Sequence, residues 1–309
     1  MKRFAFLALL IAMPAAAWAQ ALIAGAPETV TSEARRAEDA LLSRKFVTSL
    51  LQPSYNLEGQ FSRWRKPVCP HVAGLAPAAA FVVERRIRDI ARQIGAPVDA
   101  RDPCKANIRI FVSPEPQATL DAIVAKDSLR LLARAGHELT MRYPVQAWYV
   151  GYFRDYDNIM RIDLPREDIA VRDDFPPMDL SKVGDTRPLM GDARPNLTRL
   201  HTGMLSEMSD ATVIVDAKAI AGTTLGALAD HLALMTLSQT PATGRCQPAP
   251  SIANLFLKDC EADYHVNALS DVDMAMLNAL YRTPDQPENL QMTRLIGNMQ
   301  RALEGETRK

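Results

Sequence analysis

The sequence lacks the features that would assign it quickly. It carries no surplus of charge, 36 basic against 36 acidic residues over 309 positions, so no field favours nucleic acid or an anionic surface. Its 14 glycines and 21 prolines fall well short of the roughly 25–30% of low-complexity chains, which excludes a fibrous or disordered chain. No apolar run reaches the roughly 20 residues needed to span hydrocarbon. No C-x-x-C, G-x-S-x-G, G-x-G-x-x-G or G-x-x-x-x-G-K-[ST] string occurs. The tight zinc pair, the hydrolase elbow and both phosphate-binding loops are therefore missing.

What is present is ordinary globular material, 48% hydrophobic and 23% charged. That is enough for a sizeable core in one large or two modest domains. Lys2 and Arg3 precede an unbroken apolar run from Phe4 to Met13, Pro14 ends it, and Ala17-Trp18-Ala19 supplies a small-x-small pattern. This predicts a signal peptide over 1–19, cleaved after Ala19. The run is about ten residues, too short for a membrane anchor, and no cysteine follows it to carry lipid. The expected mature protein is periplasmic or secreted and has no membrane span. The cysteines are Cys69, Cys104, Cys246 and Cys260. An even count in an exported chain reads as disulfides with three pairings open, and the spacing favours Cys69–Cys104 and Cys246–Cys260.

Periodicity and punctuation divide the rest. Ser32 can cap a helix running to about Leu51, and Ala78 to Ile94 is amphipathic, with Val83, Ile87, Ile90 and Ile94 on one face. Asn107 to Val112 alternates as a strand. Thr119–Ala125 and Ser128–Ala135 read as short helices, and Gln146–Phe153 with Ile159–Leu164 as a hairpin. Residues 165–200 form a long connection. A strand over Ala211–Val215 leads to an apolar helix over Gly222–Ser238, a loop over Gly244–Glu261, a helix over Ser270–Tyr281 and a last helix from about Gln286 to Leu303. A hairpin inside this order argues for α+β with a mixed sheet over a strictly alternating parallel one. The expected domains are a tail and helix over 20–60, an α+β domain over 61–283 and a C-terminal helix over 284–309.

The helix near residue 230 is apolar almost all round. Leu225, Leu228, Leu232 and Met235 form one stripe, and Asp230, Leu234 and Leu237 lie opposite, which places it in an interior. A buried central helix after a strand, followed by a loop and a capped helix, resembles the active-site helix of zincin metalloproteases. In that alignment Asp230 stands at the first metal-ligand position of H-E-x-x-H, His231 at the general base and Leu234 at the second ligand. Pro250-Ser251-Ile252 resembles the turn after a metzincin helix, and Leu269 through Tyr281 its closing capped helix. The opening Gly222-Thr223-Thr224-Leu225-Gly226 also resembles that of a group of exported bacterial proteins of unknown function. The resemblance implies a zincin-like layout whose metal site is lost, because Leu234 cannot ligate and His231 projects about 100° from Asp230. No metal or other cofactor is expected.

The remaining constellations read as structure. His137-Glu138 has Met141 where a second histidine would be needed, and His71, His201 and His265 are scattered. Gly222 to Gly226 opens a helix, with Thr223 or Thr224 as its cap. Asp155/Asp157 and Asp271/Asp273 suit a turn and a helix start better than calcium, since the EF-hand loop is absent. Arg63-Trp64-Arg65-Lys66 and Arg85/Arg86/Arg88 read as solvated faces, with an anionic envelope polymer as the functional alternative. Trp148, Tyr149, Tyr152 and Phe153 share a strand with one face in the core and the other lining a groove. The expectation is a catalytically silent binding or interaction module of the cell envelope, a pseudoenzyme. Its ligand would be a peptide or cell-envelope fragment held in a cleft between Asp230, Leu234 and the 165–200 connection. The alternative is a peptidase-like hydrolase built around Asp230 and His231.

Overall fold

The computed structural model of the chain describes residues 26–54, 59–101, 103–135, 139–154, 160–162, 205–240 and 244–306. The leader over 1–19, His137-Glu138, Asp155/Asp157, the 165–200 connection and His201 lie outside them. Two compact units are distinguished, 1–41 and 42–309. The first is described from residue 26 as helix, within α1 (Ala26–Leu50).

The second unit holds the strands β1 (Arg63–Trp64), β2 (Pro70–Ala73), β3 (Ile108–Ser113), β4 (Val145–Arg154), β5 (Met160–Ile162) and β6 (Leu205–Asp216). Its helices are α2 (Pro77–Ile94), α3 (Pro116–Ala135), α4 (Leu225–Leu237), α5 (Asp271–Arg282) and α6 (Glu288–Glu306). The strands form one sheet in the order β2-β3-β6-β4-β5. β3 runs parallel to β6 over Ala211–Asp216, and β1 continues that edge, parallel to Glu207–Met208. β4 is antiparallel to both β6 and β5. The sheet is therefore mixed and the class α+β, with the antiparallel partner coming from the segment whose hairpin pattern was legible.

The boundaries differ where pattern was weak. Thr119–Ala125 and Ser128–Ala135 are one helix, because neither Gly nor Pro separates them and nothing halts the backbone. β6 begins six residues early: Ser206 and Met208 point inward between Glu207 and Ser209, an alternation a buried serine disguises. β2 went unseen because it is four residues long and opens with Pro70, which only the first position of an edge strand tolerates.

The two sheet faces are covered differently. Ile108, Ile110, Val112, Val145, Tyr149, Val213 and Val215 join a large core with the inner sides of α2, α4 and α5. Trp148 and Ile214 meet Leu120 of α3 in a smaller cluster on the other face. Both faces of β4 are thus packed at Trp148 and Tyr149, which corrects the expected aromatic groove. α2 ends at Gly95, whose φ of 82° suits the left-handed cap. Gly74 is also obligatory, since a Cβ there would meet the Val112 carbonyl at 1.9 Å.

α4 is buried at every residue from Ala227 to Leu237. Its start is capped by Thr224, whose Oγ1 accepts from Ala227 N at 3.2 Å. Its end poses a harder problem, because the last four carbonyls of any helix have no partner within it. Leu234 O takes the Ser238 backbone N–H at 3.1 Å, and all four receive a side-chain donor. Ser238 Oγ donates to Leu234 O (2.6 Å), Tyr149 OH to Met235 O (2.8 Å), Trp64 Nε1 to Thr236 O (2.7 Å) and Tyr281 OH to Leu237 O (2.9 Å).

Arg63, Trp64 and Arg65 are accordingly structural, while Lys66 stays exposed. Trp64 is fully enclosed, Arg63 donates to the Leu280 and Thr283 carbonyls that end α5, and both Arg63 and Arg65 pair with Asp285. The cysteines pair as Cys69–Cys104 and Cys246–Cys260, with Cα separations of 6.0 and 5.4 Å. The second pins the loop after α4.

Tyr281→Phe deletes one hydroxyl without changing shape and leaves the Leu237 carbonyl unmet. It is expected to cost about 1–3 kcal/mol of stability, measured as a drop in the urea midpoint at unchanged slope.

Candidate functional site

Asp230 and His231 are adjacent on α4 and enter unrelated surroundings. Asp230 has 4% of its side chain exposed. Its Oδ1 accepts from Arg86 Nε at 2.5 Å, and its Oδ2 from Arg86 Nη2 at 3.2 Å and from Leu269 N at 2.9 Å. The carboxylate in turn raises the Arg86 pKa above its ordinary value, the hydrogen bond being the largest cause. Arg86 was expected on a solvated face, and its side chain is 46% exposed. Yet it sits three residues after Val83 and four before Ile90, on the flank of the apolar stripe of α2. That position was legible, but its partner 144 residues away was not.

His231 turns the other way. Its Nδ1 donates to Ile252 O at 2.8 Å, and its ring meets Phe256 edge-on with centroids 4.9 Å apart. Burial, opposed by the Ile252 hydrogen bond, pulls its pKa down to about 4, so the imidazole is neutral across the physiological range. The ring lines an open cavity of about 60 Å³ together with Leu50, Tyr143, Val145, Met235 and Phe256. With Nδ1 engaged as a donor, Nε2 of the neutral ring is left as an acceptor. Arg245 and Tyr143 also stand on the wall, and two further polar neighbours are bonded, Thr240 Oγ1 to Ser238 Oγ at 2.8 Å and Gln247 Oε1 to Ser49 Oγ at 2.6 Å. The cavity therefore lies on the His231–Met235 side of α4. Leu234 is fully buried, and the 165–200 connection that was expected to complete a cleft with it and Asp230 lies outside the described residues.

The segment after α4 is organised by Asp273. Ser270 Oγ accepts from Asp273 N at 3.1 Å, and Asp273 Oδ2 accepts from Ser270 N at 3.0 Å, a reciprocal capping box. The same carboxylate accepts from Ser251 Oγ (2.5 Å) and Ile252 N (2.9 Å). Burial pushes the Asp273 carboxyl above its ordinary value against the pull of those hydrogen bonds. Asp273 thus fixes Ile252, whose carbonyl fixes His231. The sequence announced the cap and gave no sign of the reach to Ser251.

A zincin-type ion would need donors from 230 and 234. Leu234 has no lone pair, and both Asp230 oxygens are engaged, so these residues do not fit a metal. Among the described residues no group of three His, Cys, Asp or Glu side chains converges on an ion position. His265 is exposed, and His71 stands 3.5 Å from Glu84 on the surface. No protein-family model, curated protein or solved structure matches the chain.

Two outcomes test these assignments. Arg86→Ala leaves an enclosed carboxylate with one remaining donor and should cost about 2–3 kcal/mol, the low end for such pairs because Arg86 is half exposed. Replacing both groups, Arg86→Met with Asp230→Leu, should recover part of that loss in urea unfolding, the Leu269 N–H still lacking its acceptor. For His231 the folded pKa lies below the unfolded value, so the unfolded chain takes the proton first. Stability is then full above about pH 6.5 and falls as pH drops toward 4, by about 3 kcal/mol in all. His231→Asn keeps a donor for Ile252 O without the titration, and should lose correspondingly less stability over that window in parallel melts.

Proposed function

We propose that the chain is an exported, catalytically silent binding module of the cell envelope, a zincin-like layout whose metal position has been converted into structure. One observation carries this reading: the Asp230 carboxylate, which a zincin would turn toward its ion, is consumed by Arg86 and the Leu269 amide. A mixed sheet with a helix buried from Ala227 to Leu237 after its last strand supports the layout. Two disulfides support a periplasmic or secreted location. Among the described residues, no helix is long and apolar enough to cross a membrane.

The binding surface is the cavity beside His231, whose walls combine apolar side chains with few polar groups, as ligand pockets do. A hydrolase around Asp230 and His231 would need the two to cooperate on one substrate, and they face different neighbours. Among the described residues neither is hydrogen-bonded to a serine or cysteine that could serve as nucleophile.

The test combines composition with activity. The protein purified from the periplasm should contain zinc far below one equivalent by elemental analysis, and should hydrolyse peptide and ester substrates no faster than buffer. Stoichiometric zinc that disappears in Asp230→Ala, or turnover abolished by His231→Asn, would overturn the proposal.

A further inference from the structure

The wall of the cavity beside His231 is chemically lopsided, which deepens the binding-module reading and rests on it. Leu50, Val145, Met235 and Phe256 supply apolar surface, and Arg245 supplies a guanidinium. No Asp or Glu stands among the described residues of the lining. His231 adds no charge at pH 7, since burial holds its pKa near 4. The charge on the wall is therefore positive and belongs to one side chain.

The backbone at that side chain is fixed from both directions. Cys246 follows it and is tied to Cys260. Gly244 precedes it and lies under Tyr143: a Cβ on Gly244 would stand 2.6 Å from Tyr143 Cε1 and 3.2 Å from the hydroxyl oxygen. The phenol therefore places a second donor against the residue next to Arg245. Arg245 already has an interaction of its own, and with five N–H donors in its fork it can serve a further acceptor. A guanidinium, a phenol O–H beside it and an apolar floor suit a ligand with a negative end and a hydrocarbon body. A carboxylate matches the planar fork and makes stronger hydrogen bonds than a neutral carbonyl. A phosphate monoester would bring up to about two negative charges to one cation.

We propose that this cavity binds an aliphatic carboxylate. Its charged end meets Arg245 and the Tyr143 hydroxyl, and its hydrocarbon body packs against Val145, Met235 and Phe256. A free branched-chain acid and the C-terminal residue of a peptide offer the same chemistry. The peptide end adds an amide N–H, which the acceptor left on His231 can take.

The probes are 4-methylpentanoate, its amide, acetate and N-acetylleucine, each titrated at pH 7 into the full chain carrying ¹³C in its methionine methyls. By the Met235 methyl signal, 4-methylpentanoate should bind about fivefold more tightly than its amide, the range of a partly exposed ion pair. Acetate, which lacks the hydrocarbon body, should bind more weakly than either. In Arg245→Met the acid and the amide should bind alike, and the urea midpoint should stay put because Arg245 is exposed. Equal affinity of acid and amide for the unaltered chain, a preference that survives Arg245→Met, or no shift at 100 mM would each overturn the site. Tighter binding of N-acetylleucine than of 4-methylpentanoate assigns the carboxylate to a peptide end, and weaker binding to a free acid. Release of leucine from N-acetylleucine in the same tubes would instead overturn the non-catalytic reading, which keeps the two failures apart.

Discussion

A helix with no face toward water must still find partners for its last four carbonyls, and this condition organises the unit that begins at residue 42. In α4 the donors come from Ser238 just beyond its end, from Tyr149 on β4, from Trp64 on β1 and from Tyr281 on α5. Each is a hydroxyl or indole N–H on a long or local arm, so the neighbours can stand at packing distance while the polar contact is made. β1 is only two residues long, and its pairing with β6 delivers Trp64 to Thr236. An unmet carbonyl in this interior would cost about as much as a lost core contact. The end of α4 therefore locks sheet and α5 into one arrangement.

The same condition explains how α4 carries a carboxylate at its middle. An ion inside an apolar layer is tolerated when a counter-charge and further donors meet it. Arg86 supplies the charge from α2, and Leu269 supplies a backbone N–H from the segment leading into α5. One side chain thus ties α4 to two neighbours. Asp273 repeats the device one layer away, joining the start of α5 to Ser251 and Ile252. Both carboxylates face backbone amides and side-chain donors inside the fold, which makes them connectors between segments.

What the sequence disclosed and what it withheld divide along a physical line. Properties of one segment left a periodic or local trace. These include the all-round apolarity of α4, the buried stripe of α2, the Ser270-x-x-Asp273 cap and the short loop between Cys246 and Cys260. Properties of two segments left almost none. Arg86 differs from Arg85 only in standing nearer the apolar stripe, and the run Arg63–Arg65 looks solvated until the carbonyls of α4 and α5 are set beside it. β1 and β2 were missed because alternation over two or four residues is too short to register. At the site, the sequence placed Asp230 and His231 on different sides of a buried helix. Which side kept an opening depended on Tyr143, Val145 and Phe256, from distant parts of the chain.

The division between residues 230 and 231 also sets the kind of recognition the fold can offer. At 100° per residue, neighbours on a helix look into different environments. On one side a full charge is neutralised within the fold, leaving little field to reach outward. On the other an imidazole is kept neutral by burial beside an open hollow. That hollow is lined by Arg245 and Tyr143 as well as by Leu50, Val145, Met235 and Phe256. The Asp230 charge is used in holding α4 against α2 and the segment before α5, while the neutral His231 ring stands at the wall of the cavity.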